Sequence, residues 1–280
     1  MSDTKKKLGI IGFGNMGSSI ALGARSFFEV TVFDKDKQKL ANGGGSLKTE
    51  TLISNLVNNS DIIILAVKPQ DFEIVLGEIK PFVQAKLIIS IAAGITTGYI
   101  EKVLNGARVI RVMPNMAVKI QAAETGLAKG KYANDEDLGL AKELFELLGR
   151  VWLVEEEMID SITAISGSGP AYIFYDMEIN KLDPLAIPVE RKNEYVQKLK
   201  QAAFEVGFNP KMALDLAICT TASSIQLLIK TGHSPVELRK MITSAGGTTE
   251  AALKVLSANG SWSEAAKAAR KRAQELSKNE

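Results

Sequence analysis

Short apolar runs alternate with amphipathic segments through the first half of the chain. LGIIGFG, VTVFD, DIIILAVKP, LIISIAAG and ARVIRVMPN are strand-like, and most of them end in glycine, proline or a polar residue. Helix-like segments separate these runs, and GLAKG and VWLV are candidates for edge strands. This alternation is typical of a parallel sheet with crossover helices. We therefore predict an α/β domain over residues 1–155.

The pattern changes at about residue 156, where alanine-rich segments with helical periodicity replace the β-branched runs. MALDLAICTTASSIQLLIK is apolar on most faces, which predicts a helix buried among several partners. In SGSGPAY, Pro170 stands where the first turn of a helix favours proline. Residues 156–280 are therefore predicted to form an all-α domain.

Composition limits the classes of function. The 280 residues are 46% hydrophobic and 24% charged with a net charge of +2, so neither nucleic acid nor a membrane surface is an expected partner. Apolar runs are strand-sized, far below the ~18 residues that a membrane span needs. One cysteine and one histidine leave no disulfide framework and no expected metal site, which favours a cytoplasmic protein. The C-terminal KAARKRAQELSK is expected to be a solvated helix face.

GFGNMG has the glycine spacing of a dinucleotide-binding loop. It follows a strand and opens a helix, and Asp34 stands at the end of the next strand, which is the setting that the motif requires. Glycines permit the tight turn and the close approach of a pyrophosphate, whose charge faces the helix N-terminus. This loop predicts a Rossmann-type domain and nominates as cofactor-binding residues Gly12, Phe13, Gly14, Asn15, Met16 and Gly17.

The strand ends that follow extend the predicted cofactor site. Asp34 would accept hydrogen bonds from a ribose 2′-hydroxyl and repel a 2′-phosphate, whereas Lys35 favours the phosphate, so NAD(P)H is expected with a slight preference for NADH. Ligands of open parallel sheets gather at the carboxyl ends of the strands. The other nominated residues at these ends are Ala66, Val67, Lys68, Pro69, Ala92, Ala93, Gly94, Pro114 and Asn115.

SAGGTTEAAL, residues 244–253, predicts the start of a helix preceded by glycines. Exposed N–H groups and the positive end of the helix dipole would bind an anion without a basic side chain, although an ordinary glycine-rich helix cap has the same appearance. A nicotinamide domain supplies hydride, so the second domain must present the acceptor. With no histidine placed as an acid, reduction of a C=N bond is favoured over reduction of a C=O bond.

GFGNMG, AVKP, SIAAG, RVMPN, SGSGPAY and TSAGGTTEAAL occur in this order, and the chain resembles the pyrroline-5-carboxylate reductases over nearly its whole length. The resemblance implies a Rossmann-type α/β N-terminal domain and an all-α C-terminal dimerisation domain. It implies NAD(P)H-dependent reduction of 1-pyrroline-5-carboxylate to L-proline by a homodimer or a ring of dimers. By the same resemblance, Thr249 is the catalytic residue beside the ring nitrogen, and the imine carboxylate is bound by Ser244, Gly246, Gly247, Thr248 and Thr249.

Two positions depart from the family pattern. Ala245 stands where the family usually has proline, which loosens the loop. An extra segment, roughly residues 179–198, interrupts a helix that is continuous in the family and central to its dimer. The segment is expected to be either a surface excursion or a change in the oligomeric state and in the outer wall of the substrate pocket. Reduction of a different cyclic imine, or a non-catalytic regulatory role that uses the dinucleotide, are the alternatives to the implied reaction.

Overall fold

The computed structural model describes residues 5–43, 45 and 47–278. The described residues form two compact units. The first contains the described residues up to Val112 together with Leu127–Glu156, and the second contains Met113–Gly126 together with residues 157–278.

A sheet of eight strands, counted over the described residues, organises the first unit. The spatial order is β3-β2-β1-β4-β5-β6-β7-β8. The first six of these strands in space, from β3 to β6, pair with their neighbours in parallel. The order reverses between β1 and β4, and such a switch point opens a crevice at the carboxyl ends of the two strands. The strands are β1 (Lys7–Ile11), β2 (Glu29–Phe33), β3 (Lys48–Thr49), β4 (Ile62–Leu65), β5 (Leu87–Ser90), β6 (Arg108–Met113), β7 (Ala123–Lys129) and β8 (Gly149–Leu153).

Helices connect these strands, and local capping sets several of their starts. Pro69 occupies the first turn of its helix, Thr96 accepts a hydrogen bond from the Tyr99 N–H, and Asn134 forms a capping box with Asp137. The predicted α/β architecture is confirmed. The helices are α1 (Asn15–Ala24), α2 (Lys37–Gly43), α3 (Ile53–Asn58), α4 (Pro69–Ile79), α5 (Thr97–Val103) and α6 (Asp135–Glu146).

The second unit is helical, as predicted. Its long helix α10 has the length and apolar composition of a membrane span, but 56% of that apolar window is buried inside the structure, as in the core helix of a folded domain. A π-helical turn over Thr163–Gly167 precedes the helix that begins in SGSGPAY. The helices are α7 (Ile159–Ile162), α8 (Gly169–Ile179), α9 (Val189–Glu205), α10 (Pro210–Thr231), α11 (Pro235–Ile242), α12 (Thr248–Ser257) and α13 (Trp262–Lys278).

Residues 113–126 are grouped differently from the predicted division at residue 155. The structure places this segment in the second unit because its contacts lie there. The Asn115 side-chain amide donates to the carbonyl oxygen of Ser166, and Gly126 lies so close to Ile162 that a Cβ would stand 2.9 Å from its side chain. Long-range contacts of this kind leave no periodic signal in the sequence.

The extra segment is more than a surface excursion. As predicted, the helix stops near the two prolines: α8 ends at Ile179 and α9 starts at Val189. Tyr195 of α9 is fully buried, stacks on Trp262 at 5.7 Å between ring centroids, and donates its hydroxyl to Asp176 at 2.8 Å. The segment therefore supplies Tyr195 to the core of the helical unit, and the expectation of a surface excursion is wrong for that residue.

Replacing Tyr195 by phenylalanine is expected to lower the free energy of unfolding by about 1–3 kcal/mol. The ring stays in place, but the buried Asp176 carboxylate loses its 2.8 Å donor, and the Arg191 guanidinium lies 3.9 Å away, too far to replace that hydrogen bond. Urea unfolding followed by circular dichroism measures the change. Tyr132→Phe removes a hydroxyl from an exposed ring and serves as the control. Equal stability of the two variants would contradict a structural role for this hydrogen bond.

Candidate active site

The glycine loop has the geometry of a phosphate cradle. Gly12 has a φ of +102°, and its N–H donates to the Phe33 carbonyl oxygen at 2.7 Å. A Cβ at Gly12 would lie 2.5 Å from the carbonyl oxygen of Ala66, and a Cβ at Gly17 would overlap the carbonyl oxygen of Gly12. Only glycine fits at these two positions, so the turn brings the chain against β4 and directs it into α1.

Asp34 ties this loop to the loop after β2. Its side chain is buried, and its two oxygens accept the N–H of Phe13 at 2.7 Å and the N–H of Asp36 at 2.8 Å. Lys39 Nζ lies 3.4 Å from both oxygens. Burial by itself raises the pKa of Asp34, but the two main-chain donors and the Lys39 ammonium outweigh it and hold the pKa below its usual value. The carboxylate is therefore ionised at neutral pH.

A cleft of about 490 Å³ lies beside the glycine loop, within the size range of ligand sites. Its walls include apolar side chains such as Phe33 and Ile74. The residues nominated from the sequence that line it are Gly12, Gly14, Asp34, Lys35, Ala66, Val67 and Lys68. The crevice at the switch point of the sheet therefore brings these nominated polar and glycine positions together.

The other nominated positions lie next to the cleft in the chain, after β5, or in the second unit. Phe13, Asn15, Met16 and Pro69 adjoin residues of the cleft in the chain, and Ala92, Ala93 and Gly94 follow β5. Pro114 and Asn115 belong to the second unit, where Asn115 is buried and its oxygen accepts the N–H groups of Ala117 and Glu124. The side-chain hydrogen bonds of Asn115 therefore join its loop to β7 and to the turn that contains Ser166.

The loop before α12 is compact and partly closed by side chains. Gly246 has a φ of +67°, and a Cβ at Gly247 would overlap the Ser244 hydroxyl. The Gly246 N–H donates to the Glu250 carboxylate at 2.7 Å, while Arg272 Nε donates to the Gly246 carbonyl oxygen at 2.7 Å. A carboxylate oxygen therefore already lies at one main-chain donor of this loop, next to the first N–H groups of a helix.

Three hydroxyl groups meet beneath this loop. Thr249 is 4% exposed, and its Oγ1 lies 3.1 Å from Ser168 Oγ. The same serine oxygen lies 3.1 Å from Thr248 Oγ1, on the less buried side. The structure therefore places the predicted catalytic threonine in a hydrogen-bonded hydroxyl cluster at the start of α12.

Sequence reasoning missed three residues around this loop. Glu250 and Ser168 lie inside motifs quoted above but are not among the nominated residues. Glu250 binds Gly246, only four residues away, whereas the partners of Ser168 lie 80 and 81 residues later and are brought to it by the fold. Arg272 belongs to the C-terminal basic helix that is expected to be a solvated face; its side chain is one-third exposed and also donates a hydrogen bond to the Gly246 carbonyl oxygen. The pattern of one helix cannot show that a basic side chain reaches a carbonyl oxygen 26 residues earlier.

Comparisons with known proteins agree with this arrangement. Residues 194–276 match a family profile described as pyrroline-5-carboxylate reductase dimerisation, and residues 7–94 match one described as NADP oxidoreductase, coenzyme F420-dependent. The pyrroline-5-carboxylate reductase of Methanosarcina acetivorans is 38% identical over 87% of this chain and 87% of its own length. That of Aquifex aeolicus is 31% identical over 91% of this chain and 90% of its own.

Solved structures give the same assignment. A pyrroline-5-carboxylate reductase from Coxiella burnetii superposes with a TM-score of 0.66 at 32% identity and covers 98% of this chain and 99% of that one. The Plasmodium falciparum pyrroline carboxylate reductase with NADP bound gives a TM-score of 0.64 at 25% identity, with 98% and 99% covered. With the glycine loop, the threonine loop and relatives above 30% identity across most of its length, the chain belongs to the pyrroline-5-carboxylate reductase family.

Proposed function

We propose that this chain reduces 1-pyrroline-5-carboxylate to L-proline with a reduced nicotinamide dinucleotide, the reaction for which its relatives are named. The proposal rests mainly on the structure of the loop before α12. Its main chain already binds a carboxylate oxygen, from Glu250, and it adjoins the buried hydroxyl of Thr249. A small ring that bears a carboxylate next to its nitrogen matches those two features.

The first unit is proposed to hold the cofactor. Gly12 and Gly17 keep the turn open for the pyrophosphate, whose charge faces the N-terminus of α1. The residues that line the cleft beside Asp34 would receive the adenosine half. When bound, the reduced nicotinamide would supply a hydride to the carbon of the protonated imine, and the nitrogen keeps its proton as the N–H of the product amine.

The second unit is proposed to anchor the substrate. Main-chain groups at Ser244, Gly246, Gly247 and Thr248 would take the substrate carboxylate, which replaces the Glu250 carboxylate at the Gly246 N–H. Arg272 holds the Gly246 carbonyl oxygen and so fixes the direction in which that peptide group points. Much of the rate would then come from holding the ring in one orientation.

Thr249 is proposed to contact the ring nitrogen. Its hydroxyl can donate a hydrogen bond to the lone pair that appears on the nitrogen when hydride adds to the protonated imine. Because the side chain is buried and its oxygen is held by Ser168, little reorganisation is needed when the substrate arrives.

Assembly is proposed to follow the family as well, with a homodimer or a ring of dimers in the cytoplasm. The profile that matches residues 194–276 describes a dimerisation domain. On α10, Ile218 and Ile229 are each about half exposed, an apolar face of the kind that a second copy would cover. Light scattering of the purified chain measures this directly.

Oxidation of NADH and NADPH, followed at 340 nm with 1-pyrroline-5-carboxylate, tests the reaction. Turnover with this imine, with proline formed in equal amount, is the expected result. Turnover only with a different cyclic imine would favour the alternative substrate. Tight cofactor binding without oxidation by any imine would favour a regulatory role and overturn the proposal.

Cofactor choice is proposed to lean towards NADH because the Asp34 carboxylate is ionised at the end of β2. Asp34→Asn is expected to raise the ratio of kcat/KM for NADPH to kcat/KM for NADH about tenfold, since it removes the repulsion of a 2′-phosphate. If the substitution also loosens the glycine loop, it weakens the binding of both cofactors, so this effect largely cancels in the ratio. Asp36→Asn removes the same charge from an exposed neighbour and should shift the ratio less. Equal shifts in both variants would show that Asp34 does not select the cofactor.

A further inference from the structure

The π-helical turn in SGSGPAY places a buried serine against the proposed catalytic threonine. The turn covers Thr163–Gly167, and the N–H of Ser168 closes it by donating to the Thr163 carbonyl oxygen at 2.8 Å. Such turns insert one extra residue into a helix and occur frequently at functional sites. Here the turn directs the Ser168 hydroxyl towards α12, where Thr249 lies 81 residues later in the chain.

Ser168 has the hydrogen-bonding capacity that this position needs. A serine hydroxyl donates one hydrogen bond and accepts two. Ser168 Oγ is fully buried and lies 3.1 Å from each of the two threonine oxygens, Thr248 Oγ1 and Thr249 Oγ1. It can therefore accept from Thr248 and donate to Thr249. In that arrangement, the Thr249 oxygen is occupied as an acceptor and its own proton is left for a ligand.

The side chain of Thr249 needs such a partner. Threonine in a helix divides between two χ1 rotamers, so its hydroxyl has no single direction by itself. A hydrogen bond of 3.1 Å between the Thr249 hydroxyl and that of a fully buried serine selects one of them. We propose that Ser168 is a positioning residue that orients the Thr249 hydroxyl towards the substrate nitrogen. This inference rests on the role proposed above for Thr249.

A double-mutant cycle on the full-length chain tests the inference, with kcat and KM for 1-pyrroline-5-carboxylate measured for Ser168→Ala, Thr249→Ala and the double variant. Ser168→Ala should lower kcat about tenfold, because one orienting hydrogen bond is lost, and it should change KM much less. In the Thr249→Ala background, the same change should lower kcat by less than about twofold, because the group that Ser168 orients is gone.

Ser166→Ala is the matched control. Ser166 is equally buried two residues earlier, and its hydroxyl binds the Ile162 carbonyl oxygen, so it measures the general cost of removing a buried hydroxyl from this turn. It should retain kcat close to that of the unmodified enzyme. If Ser168→Ala does not fold, Ser168→Cys keeps a similar volume with a much weaker donor and should show the same loss of kcat.

The outcomes separate the two proposals. An unchanged kcat in Ser168→Ala, or equal losses with and without Thr249, would overturn the positioning role while leaving the proposed reaction intact. An unchanged kcat in Thr249→Ala would instead remove Thr249 from the mechanism, and the role of Ser168 would be lost with it. Thermal unfolding of each variant shows whether a loss of kcat follows from the site or from stability.

Discussion

Replacement of Thr249 by alanine is expected to lower kcat roughly 100-fold while leaving the affinity for the dinucleotide nearly unchanged. The hydroxyl is buried at the start of α12 and hydrogen-bonded to Ser168, and it is the group proposed to contact the ring nitrogen. The dinucleotide contacts proposed above lie in the other unit. Steady-state kinetics with the imine, together with fluorescence titration of NADH, separate the two quantities.

Thr249→Ser is the control for this result. It retains the hydroxyl and removes only a methyl group, so it should recover most of the kcat that alanine loses. Equal kcat for the alanine variant and the unmodified chain would exclude a role for this hydroxyl in the chemical step. Equal losses in the alanine and serine variants would assign the effect to packing rather than to hydrogen bonding.

Replacement of Gly17 by alanine is expected to weaken dinucleotide binding by at least about 100-fold. The new Cβ would overlap the carbonyl oxygen of Gly12, and Gly12 cannot retreat, because its N–H is bound to Phe33 and its α-carbon faces Ala66. The turn would have to open, and the pyrophosphate would lose the close approach of the main chain. Isothermal titration with NAD⁺ and NADP⁺ measures the loss.

Gly77→Ala is the matched control for the glycine loop. Gly77 lies inside α4 with open space around its α-carbon, so alanine should leave dinucleotide affinity unchanged and raise stability by up to about 1 kcal/mol. A Gly17→Ala variant that binds the dinucleotide as tightly as this control would contradict the assignment of the loop.

The features that the sequence predicts well are those with a local or periodic signal. The alternation of strands and helices, the glycine loop after β1 and the helix breaks near residues 184 and 188 all follow from short-range chemistry, and each is found in the structure. The boundary between the units was harder to place, because the position of residues 113–126 is decided by contacts such as that of Asn115 with Ser166.

The polar partners of the loop before α12 depend on the fold in the same way. The TSAGGTTEAAL motif predicts a helix start with exposed N–H groups, but it cannot reveal that Arg272 binds the Gly246 carbonyl oxygen. In the first unit, the hydrogen-bond partners of Asp34 also could not be predicted from the sequence. Its position after β2 suggested a ribose contact, and the structure adds that its oxygens hold the N–H groups of Phe13 and Asp36.

A crystal structure of the chain with L-proline and NAD⁺ tests the central claim most directly. The proline carboxylate is expected within about 3.2 Å of main-chain nitrogen atoms in residues 244–249, with Glu250 displaced from the Gly246 N–H and the ring nitrogen beside Thr249 Oγ1. Proline bound elsewhere, with Glu250 still accepting the hydrogen bond from Gly246, would contradict it.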